Sequence, residues 1–424
     1  MEGDDLLRKS RTYWASLVVI ALVAGVVLLL SPRASDRAAG GALTVGLDPD
    51  AVAVDPSTHH VFVLNYGDGT ISMIDPRHGS TVRSLAVGGS TSPTGFDITV
   101  SEANERVFVA DGGDAVRVLD AVSGRLLRET HLSGRTPAFF ARDDRANRIF
   151  VTETSPTNVG AGSTMSILDA RTGAWIRRSA AGVGPGPVAV DERTSHIFVQ
   201  DLGASTVVML DARSGVPLRT ITLGGPSILT QVNVIGNPLP AFIGVDAATS
   251  HVFVGRYGAV TMLDSRTGTI LKTVQVGRIP IAMDIDARTA RVFVLNKKDT
   301  VSVLDARTGA LLQTVRVGPT PWALTVAAAI NRVYVANAGD DTVSVMDGYG
   351  RVLHVVPGGL SPRAVAVDAS LHQVYILDAQ AYSLRPHPAG EWQRFIDSIP
   401  FIPPNDLNGS GSIPGGVTVI STTH

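Results

Sequence analysis

The segment RIPIAMDIDARTARVFVLNKKDTVSVLDARTGALLQTVRVG, residues 278–318, is the clearest copy of a unit that recurs along the chain. It contains four short runs rich in β-branched residues, at 281–285, 292–295, 300–304 and 312–317. Short runs of this composition, bounded by turn residues, are typical of β-strands. Residues 305–309, Asp-Ala-Arg-Thr-Gly, supply a carboxylate that can accept from turn N–H groups and a glycine that can adopt positive φ. The unit therefore predicts a four-stranded antiparallel meander.

The unit occurs eight times, and its second strand is the easiest landmark to follow. The second strands begin at Val61, Val107, Ile149, Ile197, Val252, Val292, Val333 and Val374. A first-hairpin residue precedes each of them at the same spacing: Asp55, Ser101, Asp143, Asp191, Asp246, Asp286, Ala327 and Asp368. A proline precedes each hairpin residue in turn, except that Gly95 replaces it in the second repeat: Pro49, Pro137, Pro185, Pro240, Pro280, Pro321 and Pro362. Three landmarks in constant register indicate one array of repeats rather than several domains.

The eighth repeat lacks a fourth strand before the chain ends. Residues 42–46, Ala-Leu-Thr-Val-Gly, resemble the fourth strands at 272–277 and 314–318. A strand supplied by the N-terminal side would complete the last unit and close a ring without exposed sheet edges. We therefore predict an all-β, eight-bladed β-propeller over residues 42–424, closed by an N-terminal strand. A seven-bladed ring is the alternative, because the second repeat lacks its proline.

The N-terminal residues differ in composition from the repeats. Residues 14–30 form an uncharged apolar run, which predicts a single transmembrane helix or a signal peptide. Arg8, Lys9 and Arg11 precede this run, so the positive-inside rule places residues 1–13 in the cytoplasm and the propeller outside. Residues 31–41 are predicted to be a linker, and the protein would be secreted if residues 1–30 were cleaved.

Composition excludes several functional classes. The formal net charge of −2 argues against a dedicated nucleic-acid-binding protein, so no nucleic-acid partner is expected. The absence of cysteine excludes thiolate metal sites. His60, His196 and His251 occupy a repeat position that holds arginine in other units, so we interpret them as structural turn residues rather than metal ligands.

Long connections mark one face of the predicted disc, which we call the long-loop face. Segments 89–94, 153–163, 225–239 and 379–416 all fall on it, because connections of the same parity share a face in an antiparallel meander. The 379–416 insertion contains Tyr382, Trp392, Phe395 and Phe401, which predict either a lid over the channel or a partner-binding element.

A ring of polar residues follows the second strands on the same face: Asn65, Asp111, Glu153, Asp201, Arg256, Asn296, Asn337 and Asp378. Asp111, Glu153, Asp201 and Asp378 are candidate oxygen ligands for a divalent cation. The alternative is that they are solvated loop residues and Asx turns. No other cofactor is predicted.

Residues 333–337 (VYVAN), 341–347 (DTVSVMD) and 314–318 (TVRVG) resemble the YVTN/YncE-like β-propeller repeat family over residues 42–424. The resemblance implies the fold and no particular reaction centre. We therefore expect a membrane-tethered, extracytoplasmic, non-catalytic binding or scaffold module, anchored through residues 14–30, with a protein or small-molecule ligand on the long-loop face. The alternative is a lactonase-like or quinoprotein-like enzyme with a metal or cofactor at the channel mouth.

Overall fold

The computed structural model describes residues 43–77, 80–87, 96–154, 164–225, 241–378 and 414–421. These residues form eight four-stranded antiparallel sheets and two short 3₁₀ helices, Glu102–Asn104 and Ala328–Ile330. We number the sheets as blades 1 to 8 in chain order and name the strands of each blade from the inside outward.

Blade 1 consists of β2 (Pro49–Val54), β3 (Val61–Asn65), β4 (Thr70–Asp75) and β5 (Ser80–Ala86). Blade 2 consists of β6 (Phe96–Ser101), β7 (Arg106–Asp111), β8 (Ala115–Asp120) and β9 (Leu126–His131). Blade 3 consists of β10 (Thr136–Asp143), β11 (Arg148–Thr154), β12 (Thr164–Asp169) and β13 (Trp175–Ala180). Blade 4 consists of β14 (Pro185–Asp191), β15 (His196–Asp201), β16 (Thr206–Asp211) and β17 (Pro217–Thr222).

Blade 5 consists of β18 (Ile243–Asp246), β19 (His251–Arg256), β20 (Ala259–Asp264) and β21 (Ile270–Gln275). Blade 6 consists of β22 (Pro280–Asp286), β23 (Arg291–Asn296), β24 (Thr300–Asp305) and β25 (Leu311–Arg316). Blade 7 consists of β26 (Pro321–Ala327), β27 (Arg332–Asn337), β28 (Thr342–Asp347) and β29 (Val352–Pro357). Blade 8 consists of β30 (Pro362–Asp368), β31 (Gln373–Asp378), β32 (Pro414–Ser421) and, as its outer strand, β1 (Leu43–Leu47).

The blades form a closed ring. The inner strands of consecutive blades contact each other, and β2 of blade 1 also contacts β30 of blade 8. Strand β1 pairs with β32, with Leu43 opposite Val417, so the first described strand completes the last blade. The eight-bladed prediction and its N-terminal closure are confirmed, and the seven-bladed alternative is wrong. The second repeat forms a complete blade without its proline.

The core lies between adjacent sheets. Phe62 and Met73 of blade 1, for example, share one buried cluster with Val107 and Leu119 of blade 2. The second strand of each blade is buried on both sides, which explains its continuous apolar sequence. Each fully buried side chain of this size contributes about 1.5–3 kcal/mol to folding.

The turns have the predicted chemistry. In the turn between β16 and β17, the Ser214 hydroxyl and backbone N–H both donate to Asp211, at 2.7 Å, and Gly215 has a φ of 67°. These bonds to Ser214 lower the pKa of the Asp211 carboxyl. The first hairpins repeat a second device, a residue with positive φ in the same place in every blade: His59, Glu105, Asn147, Ser195, Ser250, Ala290, Asn331 and His372.

Side chains at the start of the second strands join neighbouring blades. The Nδ1 atoms of His60, His196 and His251 lie 2.9, 2.9 and 2.8 Å from carbonyl oxygens in the next blade, those of Ala121, Ser265 and Ala306. Because a carbonyl only accepts, Nδ1 carries the proton in each case. Each of these histidines therefore has a structural role, which is to join two blades.

The predicted segments 1–13, 14–30 and 31–41 lie outside the described residues. Across the parts of the chain that the structure describes, no helix has the length and apolar character needed to cross a bilayer.

Candidate functional site

The long-loop face carries most of the residues proposed as functional from the sequence. Tyr382, Trp392, Phe395 and Phe401 lie outside the described residues, as do the connections 89–94 and 226–239. One boundary needs correction, because residues 414–416 belong to β32 rather than to the 379–416 insertion.

Asparagines at the ends of three second strands are fully buried and hydrogen-bonded within their own blades. Asn296 Nδ2 donates to Thr300 Oγ1 at 3.2 Å and to Ser302 Oγ at 3.0 Å. Asn65 and Asn337 make the same pair of bonds to a threonine and a serine of the third strand. These amides therefore lock the second strand to the third and do not line an open site.

Glu153 occupies the same position in blade 3 and is also fully buried. It accepts hydrogen bonds from Thr164 Oγ1 at 2.7 Å and from Ser166 Oγ. Arg178 on the outer strand completes the arrangement, with Nε 3.1 Å from Glu153 Oε2. Both oxygens of this buried carboxylate therefore have partners within blade 3.

The aspartates at this position differ in how many hydrogen bonds their carboxylate oxygens accept. Both carboxylate oxygens of Asp201 accept backbone N–H groups, from Val183 at 2.8 Å, Gly184 at 2.9 Å, Gly203 at 3.0 Å and Ala204 at 3.2 Å. Asp378 Oδ2 accepts from Thr418 Oγ1 at 2.6 Å, whereas its buried Oδ1 has no hydrogen-bond partner. Burial, reinforced by the nearby Asp341, raises the pKa of Asp378 to about 7.

The structure places the candidate metal ligands Asp111, Glu153, Asp201 and Asp378 on four separate blades. The side chain of Asp111 lies outside the described part of the structure. Among the described residues, no group of three or more histidine or acidic side chains is arranged to hold a metal ion. The structural role of the second-strand end residues has a signal in the sequence. It is the Thr-x-Ser pair at the start of the third strand, as in 300–302 and 342–344, which supplies the hydroxyl partners.

Beside this ring of buried residues, the inner strands present a second ring that sequence reasoning missed. In most blades the pairing of the first and second strands skips a residue directly after the landmark proline. A β-bulge of this kind redirects the side chain of the extra residue. The bulge residues of blades 1, 3, 6, 7 and 8 are Asp50, Ala138, Ile281, Trp322 and Arg363.

The bulge residues lie at the ends of the inner strands on the long-loop face, where the central channel of a propeller opens, and they fall into two groups. Ala138 is buried and Ile281 is partly buried, so blades 3 and 6 present small or apolar groups there. Asp50 and Arg363 are exposed and Trp322 is partly exposed, and these three belong to the consecutive blades 7, 8 and 1. We call Asp50, Trp322 and Arg363 the mouth cluster.

The side chains of the mouth cluster interact with one another. The Arg363 guanidinium carbon lies 5.6 Å from the centre of the Trp322 ring, a cation–π contact. The protein around Asp50 desolvates its carboxyl and raises its pKa, and the attraction of Arg363 opposes that rise.

Two further carboxyls lie on inner strands and connect neighbouring blades. Asp97 Oδ2 accepts from the backbone N–H of Phe140 at 2.9 Å, and Asp284 Oδ2 accepts from that of Val326 at 2.8 Å. Burial raises the pKa of each carboxyl to about 6, although the hydrogen bonds oppose the rise. Their oxygens accept hydrogen bonds from the propeller scaffold, so the mouth cluster is the better candidate for contact with a ligand.

The chain matches the family model described as outer membrane protein assembly factor BamB, at residues 67–239 and 203–361. The two overlapping matches together span more than half of the chain. No curated protein matches it significantly.

Solved structures with the same fold include natural and designed propellers. The computationally designed Ika8 protein has 18% sequence identity and a TM-score of 0.61, over 79% of this chain and 95% of that chain. BamB from Moraxella catarrhalis has 17% identity and a TM-score of 0.55, over 79% and 96%. The dihydro-heme d1 dehydrogenase NirN in complex with DHE has 14% identity and a TM-score of 0.58, over 77% and 69%. Identities this low support the fold alone.

Proposed function

The chain belongs to the β-propeller repeat family whose model is described as outer membrane protein assembly factor BamB, and from this premise we propose that it is a non-catalytic binding or scaffold module. Its binding surface is the long-loop face. In this proposal residues 14–30 tether it to a membrane with the propeller on the extracytoplasmic side. The YVTN/YncE-like character of the repeats is part of the same proposal.

The observation that carries the proposal is the contrast between the two rings on the long-loop face. Glu153 and Asp201 are buried and hydrogen-bonded within the scaffold. The mouth cluster, by contrast, exposes a cation, a carboxyl and part of an indole ring at one place. Arginine and tryptophan are the residues that most often dominate the binding energy of protein interfaces. These groups recognise a partner without requiring a nucleophile or a bound metal.

The description of the family model, an outer membrane protein assembly factor, supports the proposal that the partner of this chain is a protein. The enzyme alternative keeps the divalent-cation site at Asp111, Glu153, Asp201 and Asp378, or a ligand of another kind at the channel mouth. No geometry of the described residues favours it over the binding module.

Site-specific photo-crosslinking in cells that produce the full chain tests the proposal. A photoreactive residue replaces Lys298, which is exposed in the β23–β24 connection on the long-loop face. We expect a discrete crosslinked adduct, because a partner bound to this face lies within reach of that loop.

The matched control is Arg307, which is exposed in the β24–β25 turn of the same blade and therefore on the opposite face. Adducts of equal intensity from both positions, or from neither, would contradict the proposal. So would a stoichiometric metal or organic molecule in native mass spectra of the purified chain, which would favour the enzyme alternative.

A further inference from the structure

The mouth cluster contains a guanidinium whose hydrogen-bonding groups are unused. Among the described residues, no acceptor lies within hydrogen-bond distance of the Arg363 side chain, whose contacts are the ring of Trp322 and the charge of Asp50. Arg256, which follows the second strand of blade 5 on the same face, is by contrast engaged and donates to the Leu223 carbonyl. Arg363 is thus available to a group from outside the chain.

Trp322 prepares Arg363 for that role. A guanidinium in contact with the face of an indole ring is restrained by that contact, while the N–H groups on its edge stay free for another partner. These N–H groups form a fork that matches two oxygens of one planar anion. Because the contact already restricts Arg363, binding loses less side-chain entropy than it would with a mobile arginine.

We propose that Arg363, Trp322 and Asp50 form a binding site for a side-chain carboxylate on an acidic peptide segment of a partner protein. This inference rests on the proposed function and specifies the chemistry of the partner that the long-loop face recognises.

The charge of the cluster selects a monoanion. One guanidinium neutralises one carboxylate, whereas a phosphate dianion would bring a second negative charge next to Asp50 with no further cation in the cluster. Burial raises the pKa of Asp50, so its ionised form is less favourable than that of a carboxyl in water, although Arg363 opposes the rise. A protonated Asp50 donates to a bound carboxylate, whereas an ionised Asp50 repels it.

The openness of the site selects a peptide over a small acid. Sites for small molecules usually enclose most of the ligand surface. Asp50 and Arg363 are exposed, so a small carboxylate would bury little surface here. A peptide that enters through Arg363 can also extend along the mouth toward the apolar side chain of Ile281, which gives contact area that a small acid lacks.

Fluorescence anisotropy with the full chain and a dye-labelled tetraglutamate peptide at low salt tests the inference. We expect Arg363→Gln to weaken binding by about tenfold or more, as for loss of a charged hydrogen-bonding partner. Asp50→Asn removes the repelling charge and is expected to tighten binding several-fold. Both positions are exposed, so neither substitution should affect folding.

The control Arg307→Gln removes the same charge on the opposite face and should leave the affinity unchanged. Equal affinities for Arg363→Gln and Arg307→Gln would overturn the inference, as would equal binding of a tetraglutamine peptide. Displacement of the peptide by succinate at equal concentration would assign the site to small acids and refute the peptide.

The two proposals can fail separately. A Lys298 crosslink together with peptide binding that is insensitive to Arg363→Gln would retain the binding face and refute the carboxylate site. Peptide binding that depends on Arg363, without any crosslink at Lys298, would retain the carboxylate site and refute the presence of a partner protein on this face in the cell.

Discussion

Asp378 stands where blades 1, 6 and 7 carry asparagine. Those asparagines donate to hydroxyls of the third strand. In blade 8, Thr418 stands at the position that Ser302 has in blade 6. An ionised carboxylate cannot donate, and its Oδ1 is buried without a partner. Burial and the neighbouring Asp341 therefore raise its pKa to about 7. In its protonated form, Asp378 resembles the asparagine of the other blades.

This raised pKa predicts a pH-dependent stability. The folded state holds the proton on Asp378 at pH values where the unfolded chain has lost it, so the free energy of unfolding falls as the pH rises toward about 7. Asp378→Asn should raise the free energy of unfolding by about 2 kcal/mol at about pH 8, because the buried charge is gone, and by less at about pH 5. Urea denaturation at both pH values measures the difference.

Asp201→Asn is the matched comparison, because it makes the same change at the equivalent position of blade 4. The two oxygens of Asp201 accept four backbone N–H groups, and an amide nitrogen in place of one oxygen would face donors. We expect the free energy of unfolding of this variant to fall by about 2 kcal/mol at both pH values. Equal effects of the two substitutions would refute the protonated state assigned to Asp378.

At the scale of elements, the turn between the third and the fourth strand is held by the preceding blade in blades 2 to 7. The β24–β25 turn of blade 6 accepts from His251 Nδ1 through the Ala306 carbonyl at 2.8 Å. Lys272 of the β21 strand lies 3.4 Å from the Thr308 carbonyl of the same turn. Equivalent contacts connect Arg83 to Ser123 and Arg219 to Thr267. These contacts align the blades in addition to their apolar packing.

His251→Ala should lower the free energy of unfolding by about 1 kcal/mol, the usual contribution of a hydrogen bond whose partner is left unpaired. Arg307→Ala changes an exposed side chain in the accepting turn and should have little effect. Thermal and chemical denaturation of both variants provide the measurement. If His251→Ala left the free energy of unfolding unchanged, packing alone would align blades 5 and 6.

At the scale of the whole molecule, the ring depends on β1. Val45 is buried in one cluster with Val61 of blade 1 and Tyr375, Leu377 and Val417 of blade 8. This strand therefore connects the two ends of the array through apolar contacts as well as through its ladder with β32.

Val45→Asp places an unpaired charge in that cluster and should cost about 3 kcal/mol or more, because a buried ion without a partner is strongly unfavourable. Thr44, the preceding residue, is exposed, and Thr44→Asp should change stability by less than about 1 kcal/mol. Denaturation curves and protease resistance of the full chain distinguish the two. Equal stability of both variants would mean that β1 does not maintain closure.

The sequence predicted the features that depend on local pattern. The strand positions follow from the alternation of apolar residues. The carboxylate and glycine turns and the closing strand follow from a pattern that repeats from unit to unit. The burial of the second-strand end residues was not predicted, because Asn296 reads as a solvated loop residue until its bonds to Thr300 and Ser302 are known.

The mouth cluster was missed for a related reason. Asp50, Trp322 and Arg363 follow landmark prolines within runs that look like ordinary inner strands. Only the one-residue skip in the pairing removes them from the alternation and exposes them. A register shift depends on both strands, and the spacing within one strand does not reveal it.

The pairing of Leu43 with Val417 also sets the order of assembly. Blades 1 to 7 consist of strands that are neighbours in the chain, so each can form as soon as its own residues have been synthesised. Blade 8 must wait for β32, and until then β1 has no partner. Contacts between residues so distant in sequence form slowly, and an unpaired strand can pair wrongly in the meantime. We therefore expect ring closure to be the last and slowest step of folding, and the one most sensitive to interruption.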